Sequence, residues 1–456
     1  MVLSKYISEK EKKRISAVTL GCKLNYAETS SILQRFVDSG WQIAAEGEEP
    51  DIVFIHTCAV TRQAEQKSRQ QIRRMIRRYP RSRIVVIGCY AQLQPDVIAG
   101  IEGVDVILGS AEKYDIERYI TSGPDDIETY ISPVSTLDTA VSAHSLLSGP
   151  GSGRTRAFLK IQDGCDYGCA YCTIPLARGR SRSVPPDTVI DGARRLALAG
   201  YREIVLTGVN IAAYRYGSCS FAGLLRRLDD VDVLRIRVSS IEPDLLTSEV
   251  IDTVSRSTRI MPHFHLPLQG GSDAMLRAMG RRYTIATYRS RLLDAVDRIP
   301  DCAIGADIVT GYPGETDDDF RSACELIGDL PIAYLHIFTC SLRPGTALAR
   351  QVDTGLRRPL PPDLVKERSR QLHELGHERK QAFARRFIGR DLQVLFEEQG
   401  SEEDGSISCS GYSRNYLRVR TAVSSPGEAE RIAGTEQRVR VTGLGRDLDL
   451  EAIFVT

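Results

Sequence analysis

Short apolar runs alternate with helical patterns along most of this chain, and that alternation is what most limits its possible folds. Four runs near the N-terminus are separated by segments whose helical periodicity begins at about Asn25 and Thr61: ISAVTLGC, DIVFIHTC, RIVVIGC and VDVILG. Six more recur farther on: AFLKIQ, EIVLTG, LRIRVSS, FHLPLQ, AIGADIVTG and AYLHIF. Strands separated by helices run parallel, so the pattern predicts an α/β protein whose second sheet is a partial barrel of six β/α units.

Breaks in this pattern predict the domain boundaries. The segment from about Ser122 to Thr155 is rich in Ser, Thr, Gly, Pro and Asp, as linkers are. A charged helix, roughly Asp363 to Phe387, leads to short β-like runs typical of a small antiparallel barrel: DLQVLFEE, YLRVRT, QRVRVTGL and LEAIFV. We therefore expect a doubly wound N-terminal domain (1–125), a linker (126–153), the central barrel (154–384) and a C-terminal β-barrel (385–456).

Composition excludes several classes of protein. No apolar run approaches the ~20 residues that cross a bilayer, and the N-terminal stretch MVLSKYISEKEKKR lacks the apolar core of a secretion signal. We therefore expect a cytoplasmic protein without a membrane partner, in which eleven cysteines serve as metal ligands or reactive thiols rather than disulfides. Lys plus Arg (60) nearly balance Asp plus Glu (59), so any nucleic-acid surface must be local.

The motif GCDYGCAYC gives the strongest chemical signal. Its cysteines, Cys165, Cys169 and Cys172, follow the first strand of the central domain. Three thiolates at this spacing can hold three irons of a [4Fe-4S] cubane and leave the fourth iron open. Zinc is the alternative, but a closed zinc site needs a fourth ligand, and no second pair follows nearby.

Three further cysteines, Cys22, Cys58 and Cys89, each close an apolar strand of the N-terminal domain. Ligands gather beyond the carboxyl ends of parallel strands, so these thiols can converge and hold a second cluster. The alternative is three buried structural cysteines. The remaining five show no ligand spacing: Cys219, Cys302, Cys324, Cys340 and Cys409.

With an aromatic residue, Tyr171, before its last cysteine, the CxxxCxxC motif resembles the radical S-adenosylmethionine superfamily. The segments GCKLNYAE, HTCAVT, GCYAQ and DGCDYGCAYCTIPLARGRSRS together resemble the methylthiotransferase family over nearly the whole chain. This resemblance implies two [4Fe-4S] clusters, S-adenosylmethionine as source of both radical and methyl group, and a C-terminal RNA-binding TRAM barrel. It also implies a sulfur donor and an electron donor such as flavodoxin or ferredoxin.

Branches of that family differ in substrate. GCKLN and RGRSRS look most like the branch that converts N6-threonylcarbamoyladenosine beside the tRNA anticodon to its 2-methylthio derivative. The isopentenyladenosine branch tends to carry GCxMN, and the branch that modifies a ribosomal-protein aspartate tends to carry GCPKN. A non-catalytic RNA-binding protein with structural zinc is a more distant alternative. One departure from the family is Cys340, where an aromatic residue is usual.

Other candidate cofactor contacts sit at strand ends. Thr207 and Gly208 match the place where the superfamily's backbone holds the methionine amino group, although a turn that needs glycine is an equal alternative. The other strand-end residues can contact cofactor or substrate, or can merely cap turns: Ser239, Glu242, Gln269 and Asp307. The cofactor set is completed by Tyr171.

Basic and aromatic clusters are candidate RNA contacts. Arg178, Arg180 and Arg182 follow the CxxxCxxC motif and can meet phosphates of the anticodon arm. Tyr412, Arg414, Tyr416 and Arg418 mix stacking and charged groups on the predicted small barrel. A third cluster, the segment from Lys67 to Arg83, is equally well explained as a solvated helix face.

Overall fold

The computed structural model describes residues 13–120, 127–145, 155–401 and 406–455. The chain divides into two compact units. The first comprises residues 1–138, 143–146 and 176–180, and the second comprises residues 139–142, 147–175 and 181–456. None of the helices in the described part of the chain combines the length and apolar character that crossing a membrane requires.

The first unit is built on a parallel six-stranded sheet in the order β2-β1-β3-β4-β5-β6. Its strands are β1 (Arg14–Thr19), β2 (Gln42–Ile43), β3 (Ile52–Thr57), β4 (Arg83–Gly88), β5 (Val106–Leu108) and β6 (Glu128–Tyr130). The four predicted apolar runs form β1, β3, β4 and β5. The strand order reverses between β1 and β3, and a ligand crevice forms at such a point in open α/β sheets.

Helices connect these strands. They are α1 (Lys23–Asp38), α2 (Arg62–Arg78), α3 (Cys89–Leu93), α4 (Pro95–Ala99) and α5 (Ile116–Tyr119). Thr61 caps α2, because its side chain accepts a hydrogen bond from the Ala64 amide. Both predicted helix starts, near Asn25 and Thr61, are confirmed within two residues.

The segment predicted to be a linker contains regular structure in part. Strand β6 lies within it and pairs with β5, and a two-residue strand, β7 (Ala143–His144), follows. Residues 146–154 lie outside the described residues, as do residues 1–12 at the N-terminus. A strand of three residues is too short to show a period in the sequence, which is why composition alone suggested a linker.

Six parallel strands form the frame of the second unit, and each overlaps one of the six predicted runs. They are β8 (Arg156–Lys160), β11 (Glu203–Thr207), β14 (Arg235–Val238), β15 (His263–His265), β16 (Ala303–Thr310) and β17 (Tyr334–Thr339). Parallel bridges from Ile236 to Ile260 and from Ser240 to His265 join the β14 edge to β15. The predicted six-unit partial barrel is therefore confirmed.

Short strands and helices connect this frame. The strands are β9 (Gln162–Asp163), β10 (Arg182–Ser183), β12 (Arg215–Tyr216) and β13 (Cys219–Ser220). The helices are α6 (Ile174–Arg178), α7 (Pro186–Leu198), α8 (Phe221–Asp229), α9 (Ser248–Arg256), α10 (Asp273–Ala278), α11 (Ile285–Arg298), α12 (Asp317–Asp329), α13 (Ala347–Asp353) and α14 (Pro362–Arg385).

Side-chain alternation along β16 shows which barrel face carries chemistry. Ile304, Ala306 and Ile308 belong to the large core that includes the surrounding helices. Asp307 and Val309 point to the opposite face, as the period of a strand requires. Val309 packs with Ala170, which lies between two cysteines of the CxxxCxxC motif.

The chain ends in a closed five-stranded barrel in the order β18-β19-β20-β22-β21. Its elements are β18 (Asp391–Ser401), β19 (Ile407–Ser413), β20 (Arg418–Val423), α15 (Pro426–Ile432), β21 (Glu436–Leu444) and β22 (Leu450–Phe454). The predicted antiparallel barrel is confirmed, apart from one parallel pair, β20 with β22. Strand β19 was not predicted, because its sequence ISCSGYS is too polar and glycine-containing to read as a strand.

Candidate functional site

The CxxxCxxC loop of the second unit is fixed by backbone hydrogen bonds. The Ala170 amide donates to the Met279 carbonyl (2.8 Å), and the Leu348 amide donates to the Ala170 carbonyl (2.7 Å). Hydrogen-bond donors also reach the sulfurs. The Tyr167 amide lies 3.4 Å from Cys165 Sγ, and the Ile174 amide lies 3.4 Å from Cys172 Sγ. Amides directed at sulfur stabilise thiolate ligands.

Arg281 provides the donor to the third sulfur. Its Nη1 lies 3.2 Å from Cys169 Sγ, and its Nη2 pairs with the carboxylate of Glu242. Glu242 was predicted from its strand-end position, but Arg281 was missed, because nothing around MGRRYT links it to a cysteine 112 residues away. A cation beside a thiolate ligand is suited to bind the carboxylate of an amino-acid cofactor.

Tyr171 and Gln269 are brought together. The Tyr171 hydroxyl donates to Gln269 Oε1 at 2.8 Å. Gln269 has a φ of 63°, which is uncommon for a residue with a side chain and occurs at functional turns. Burial raises the pKa of Tyr171 well above its usual value, so this hydroxyl stays a donor at all ordinary pH values.

The loop after β11 is organised by Gln162, whose Oε1 accepts hydrogen bonds from the Val209 and Asn210 amides. Thr207 is buried at the end of the strand. A Cβ on Gly208 would lie only 2.8 Å from the Gln162 carbonyl oxygen. Glycine is therefore required at position 208 by this close approach, and the turn that it forms is the one predicted to hold the cofactor's amino group.

Replacing Gly208 with alanine is expected to displace this loop and raise the KM for S-adenosylmethionine about tenfold, equivalent to ~1.4 kcal/mol of binding. The measurement is the rate of S-adenosylmethionine cleavage against its concentration. Gly223→Ala is the matched control, because a Cβ at Gly223 meets nothing closer than 3.5 Å. An unchanged KM in Gly208→Ala, with iron content as in the wild type, would remove the loop from the cofactor site.

Asp307 lies on the barrel face that carries Val309, and its carboxylate contacts the rings of two histidines. His265 Nε2 lies 2.9 Å and His336 Nδ1 lies 3.2 Å from Asp307 Oδ1. Although burial opposes ionisation, the neighbouring rings of His265 and His336 hold the pKa of Asp307 at about 2. Asp307 is thus a carboxylate ready to accept hydrogen bonds. The remaining candidate, Ser239, is half-buried just after β14.

Cys340, the one departure from the family pattern, packs beside the CxxxCxxC loop. It lies against the small apolar cluster that contains Ala170, Met279 and Tyr312. Burial raises the pKa of its thiol to about 12, so it is a neutral packing group.

In the first unit, Cys22, Cys58 and Cys89 follow the ends of β1, β3 and β4, which are adjacent in the sheet. Neighbouring strands lie about 4.8 Å apart, so the three thiols share one edge, as predicted. Burial raises the pKa of Cys58 to about 11. The neighbouring thiols of Cys89 and Cys22 raise this pKa further, and a hydrogen bond from the Val60 amide partly offsets the increase. Cys22 is exposed, which leaves this edge open to solvent.

Gly21 allows that convergence. Its φ is +100°, and a Cβ there would lie 2.8 Å from Cys58 Cβ and 2.9 Å from Cys58 Sγ. Any other residue at position 21 would therefore strain the backbone and push Cys58 away from Cys22. A shallow cavity opens beside these residues, and it is lined by Leu20, Gly21, Cys58, Thr61, Gln63, Ala64 and Lys67.

A buried polar network lies behind Cys22. The Cys22 thiol faces Asn25 Oδ1 (3.7 Å), which accepts a hydrogen bond from Arg178 Nη2 (2.7 Å). Nη1 and Nη2 of Arg178 each lie 3.0 Å from a carboxylate oxygen of Glu28. Lys113 Nζ also pairs with Glu28, at 2.8 Å. All four residues behind the cysteine are buried, so the network fixes α1 and Asn25 beside the thiol.

The three arginines predicted to meet phosphates have different environments. Arg178 is 2% exposed and held in the network around Glu28. Arg182 is also buried, and its Nε donates to the Thr139 carbonyl at 3.2 Å. Arg180 is exposed. The guanidinium groups of Arg178 and Arg182 therefore lie inside the protein, whereas Arg180 is an exposed residue.

Aromatic residues of the C-terminal barrel face the central barrel of the same unit. The rings of Tyr412 and Tyr416 stack at 5.0 Å, and the guanidinium groups of Arg156 and Arg237 lie over them at 4.7 and 4.8 Å. Both tyrosines are half-buried in this arrangement. Arg414 pairs with Glu436, and Arg418 pairs with Glu398.

The spacing of the three sulfur atoms in each cysteine trio limits which metal the trio can hold. A single zinc ion brings thiolate sulfurs within about 3.8 Å of one another. Among the described residues (13–120, 127–145, 155–401 and 406–455), one group of three candidate ligands has all its ligand atoms within 4.8 Å of one another: His265, Asp307 and His336. The sulfur atoms of neither cysteine trio lie that close together. A cubane binds each sulfur to a different iron, so its thiolates stand farther apart. Both trios therefore fit a [4Fe-4S] cluster better than one zinc ion.

Comparison with known proteins decides the family. Residues 14–109 match a family described as uncharacterized protein family UPF0004, and residues 159–327 match the radical SAM superfamily. The threonylcarbamoyladenosine tRNA methylthiotransferase MtaB of Bacillus subtilis (strain 168) is 38% identical, over 88% of each chain. The chain belongs to the radical SAM methylthiotransferase family. As a radical SAM methylthiotransferase it is an enzyme, and its superfamily implies a [4Fe-4S] cluster and S-adenosylmethionine.

Other similar proteins support the assignment of this chain to the methylthiotransferase family. An MtaB of Aquifex aeolicus (strain VF5) is 31% identical over 90% of this chain and all of its own length. The tRNA-2-methylthio-N(6)-dimethylallyladenosine synthase of Desulfitobacterium hafniense (strain Y51) is 29% identical over 92% and 93% of the two chains. The radical S-adenosylmethionine methyltransferase TsrM of Kitasatospora setae shares the fold, with a TM-score of 0.57 at 14% identity over 75% of this chain and 76% of its own.

Proposed function

We propose that this enzyme converts N6-threonylcarbamoyladenosine beside the tRNA anticodon to its 2-methylthio derivative by radical chemistry in the cytoplasm. Two observations together carry the proposal: the chain has two three-cysteine sites, and it is 38% identical to the threonylcarbamoyladenosine tRNA methylthiotransferase MtaB of Bacillus subtilis (strain 168). Six thiols from two regions of the chain meet the needs of a reaction that both activates a carbon and delivers sulfur to it.

Cys165, Cys169 and Cys172 would hold the radical cluster, and Cys22, Cys58 and Cys89 the sulfur-carrying one. When bound, the two clusters and S-adenosylmethionine supply the electron, the hydrogen-abstracting radical, the sulfur and the methyl group. The protein's own part at the CxxxCxxC site is to fix the three sulfurs through the Tyr167 and Ile174 amides and the Arg281 guanidinium. The exposed position of Cys22 leaves the second site accessible to an external sulfur donor.

Side chains around the CxxxCxxC loop would bind S-adenosylmethionine. Arg281 offers a positive charge beside Cys169 for the cofactor's carboxylate, and the turn at Thr207 and Gly208 offers backbone groups for its amino group. Asp307 can accept hydrogen bonds from hydroxyl groups, since its low pKa keeps it ionised. Tyr171 and Gln269 position each other through their hydrogen bond, and Glu242 holds Arg281 in place. Ser239, directly after β14, is a further candidate contact.

Transfer RNA is the proposed macromolecular partner, together with an electron donor such as flavodoxin or ferredoxin and a sulfur donor. Arg180 is exposed, so its side chain can reach a phosphate group. In the C-terminal barrel, Arg414 and Arg418 keep part of their surface exposed beside Tyr412 and Tyr416. Arg414 and Arg418 suit contacts to the RNA backbone through charge. The rings of Tyr412 and Tyr416 are covered by each other and by Arg156 and Arg237, so they support this surface.

The test is nucleoside mass spectrometry after anaerobic incubation of the reconstituted enzyme with tRNA carrying N6-threonylcarbamoyladenosine. The expected product gains a methylthio group on that nucleoside alone. Gain of mass only on tRNA carrying dimethylallyladenosine would assign the other tRNA branch. No gain on either tRNA, with modification of a ribosomal-protein aspartate, would refute a tRNA substrate.

A further inference from the structure

Helix α2 concentrates positive charge to a degree that the rest of the chain does not. It carries seven basic residues and one acidic residue, Glu65, in 17 residues, a net charge of +6. The whole chain of 456 residues has a net charge of only +1. Glu65 lies in the first turn, where the helix dipole favours an acid, so the cations dominate the remaining length.

Four of these cations are exposed and lack a carboxylate partner. Within the part of the chain that the structure describes, Lys67, Arg73, Arg74 and Arg77 form no ion pair. By contrast, Arg370 on α14 pairs with two glutamates of its own helix. Arg73 and Arg77 are four residues apart, a spacing at which like charges destabilise a helix by about 0.2–0.5 kcal/mol. An anionic partner would remove that cost.

The rest of the exposed surface of α2 is also polar. Every exposed residue of the helix is Arg, Lys or Gln: Arg62, Gln63, Gln66, Lys67, Gln70, Arg73, Arg74, Arg77 and Arg78. Protein interfaces are centred on aromatic and apolar side chains, and this surface offers none. Guanidinium and amide groups are the ones that contact phosphate and sugar oxygens, and Arg fits phosphate bidentately.

The exposed cations of α2 extend from the edge of the sheet that carries the three cysteines. Lys67 lines the same cavity as Cys58 and Gly21, so the helix begins at the edge where Cys22, Cys58 and Cys89 meet. At 1.5 Å per residue, the cations from Lys67 to Arg77 then extend about 15 Å away from that edge. A nucleotide chain that presents a base at the cysteine edge would place its flanking phosphates along the helix.

We propose that the α2 basic face, formed by Lys67, Arg73, Arg74 and Arg77, binds backbone phosphates of the tRNA substrate. This inference rests on the proposed function, since it names the surface that holds the same substrate. It assigns to α2 a role in binding that complements the C-terminal barrel. Because the contacts are to phosphate, they contribute affinity and salt dependence but no sequence preference.

The test compares tRNA affinity of the full-length reconstituted enzyme with that of Arg73→Gln/Arg74→Gln/Arg77→Gln across salt concentrations. Glutamine keeps helix propensity nearly unchanged. We expect affinity to fall about tenfold or more near 0.1 M salt, and the slope of log K against log salt to fall by two to three, about one per lost phosphate contact. The triple lysine variant should retain most of the slope, which separates lost charge from lost structure.

The matched control is Arg194→Gln/Arg195→Gln/Arg321→Gln, which removes three exposed charges from other helices and should leave the slope as it is. Unchanged affinity and slope in the α2 variant would overturn the inference alone, provided that the wild type binds and modifies tRNA. Slower cluster reduction by an acidic flavoprotein, with tRNA affinity intact, would overturn it in favour of a protein partner. If the wild type itself neither binds nor modifies tRNA, the proposed function fails first.

Discussion

Replacing Cys169 with alanine is expected to lower the iron content of the reconstituted enzyme from about eight to about four atoms per chain. Cleavage of S-adenosylmethionine to 5′-deoxyadenosine should fall below detection, because the radical site loses one of its three thiolates. Iron analysis and chromatography of the nucleoside product measure both effects. The four remaining irons should be those held by Cys22, Cys58 and Cys89.

Cys324→Ala serves as the control, since Cys324 is a partly buried cysteine of α12 outside both trios. It should keep the full iron content and the full cleavage rate. Cleavage that persists in Cys169→Ala would show that this residue does not hold the radical cluster. A loss of all eight irons would show instead that the two sites are not independent.

Replacing Glu28 with glutamine is expected to destabilise the first unit strongly without changing its surface. Glu28 is fully buried, and its carboxylate pairs with both Arg178 and Lys113. A neutral amide cannot balance two buried cations, and removing one partner of such a pair costs about 3–5 kcal/mol. Scanning calorimetry should show the lowest thermal transition falling by roughly 10 °C.

A second consequence of Glu28→Gln concerns the nearby cysteine. Arg178 orients Asn25 beside Cys22, so the variant should also lose iron from the second site faster on exposure to a chelator. Glu49→Gln is the control, because the partner of Glu49, Arg81, is 84% exposed and the pair should contribute little. A thermal transition within a degree of the wild type would mean that the buried network does not stabilise this unit.

Both cysteine trios could be predicted from the sequence because their signals are local. Cys22, Cys58 and Cys89 each end an apolar run, and parallel strands bring their ends to one edge. The spacing of Cys165, Cys169 and Cys172 is a chemical pattern in itself. Helix α14 and the six strands of the partial barrel were predictable for the same reason, because the periodic spacing of their apolar residues is visible within a short stretch of sequence.

Arg178 and Arg281 show what local patterns miss. Arg178 stands in an arginine-rich stretch that the sequence predicts to meet phosphates, yet it is buried and pairs with Glu28, which is 150 residues away. Arg281 contacts Cys169 only because the fold of the partial barrel brings together two residues that are 112 positions apart in the sequence. A long-range contact decides whether an arginine is a surface charge or an internal one, and no periodicity records such a contact.

Mössbauer spectroscopy of the anaerobically reconstituted wild-type enzyme, combined with metal analysis, tests most directly whether two separate cysteine trios hold two iron-sulfur clusters. The predicted result is about eight irons per chain, all with the parameters of [4Fe-4S] clusters, and no stoichiometric zinc. Four irons per chain, with Cys22, Cys58 and Cys89 still open to alkylation, would contradict the second cluster. Zinc at either trio would contradict both the cofactors and the chemistry proposed for them.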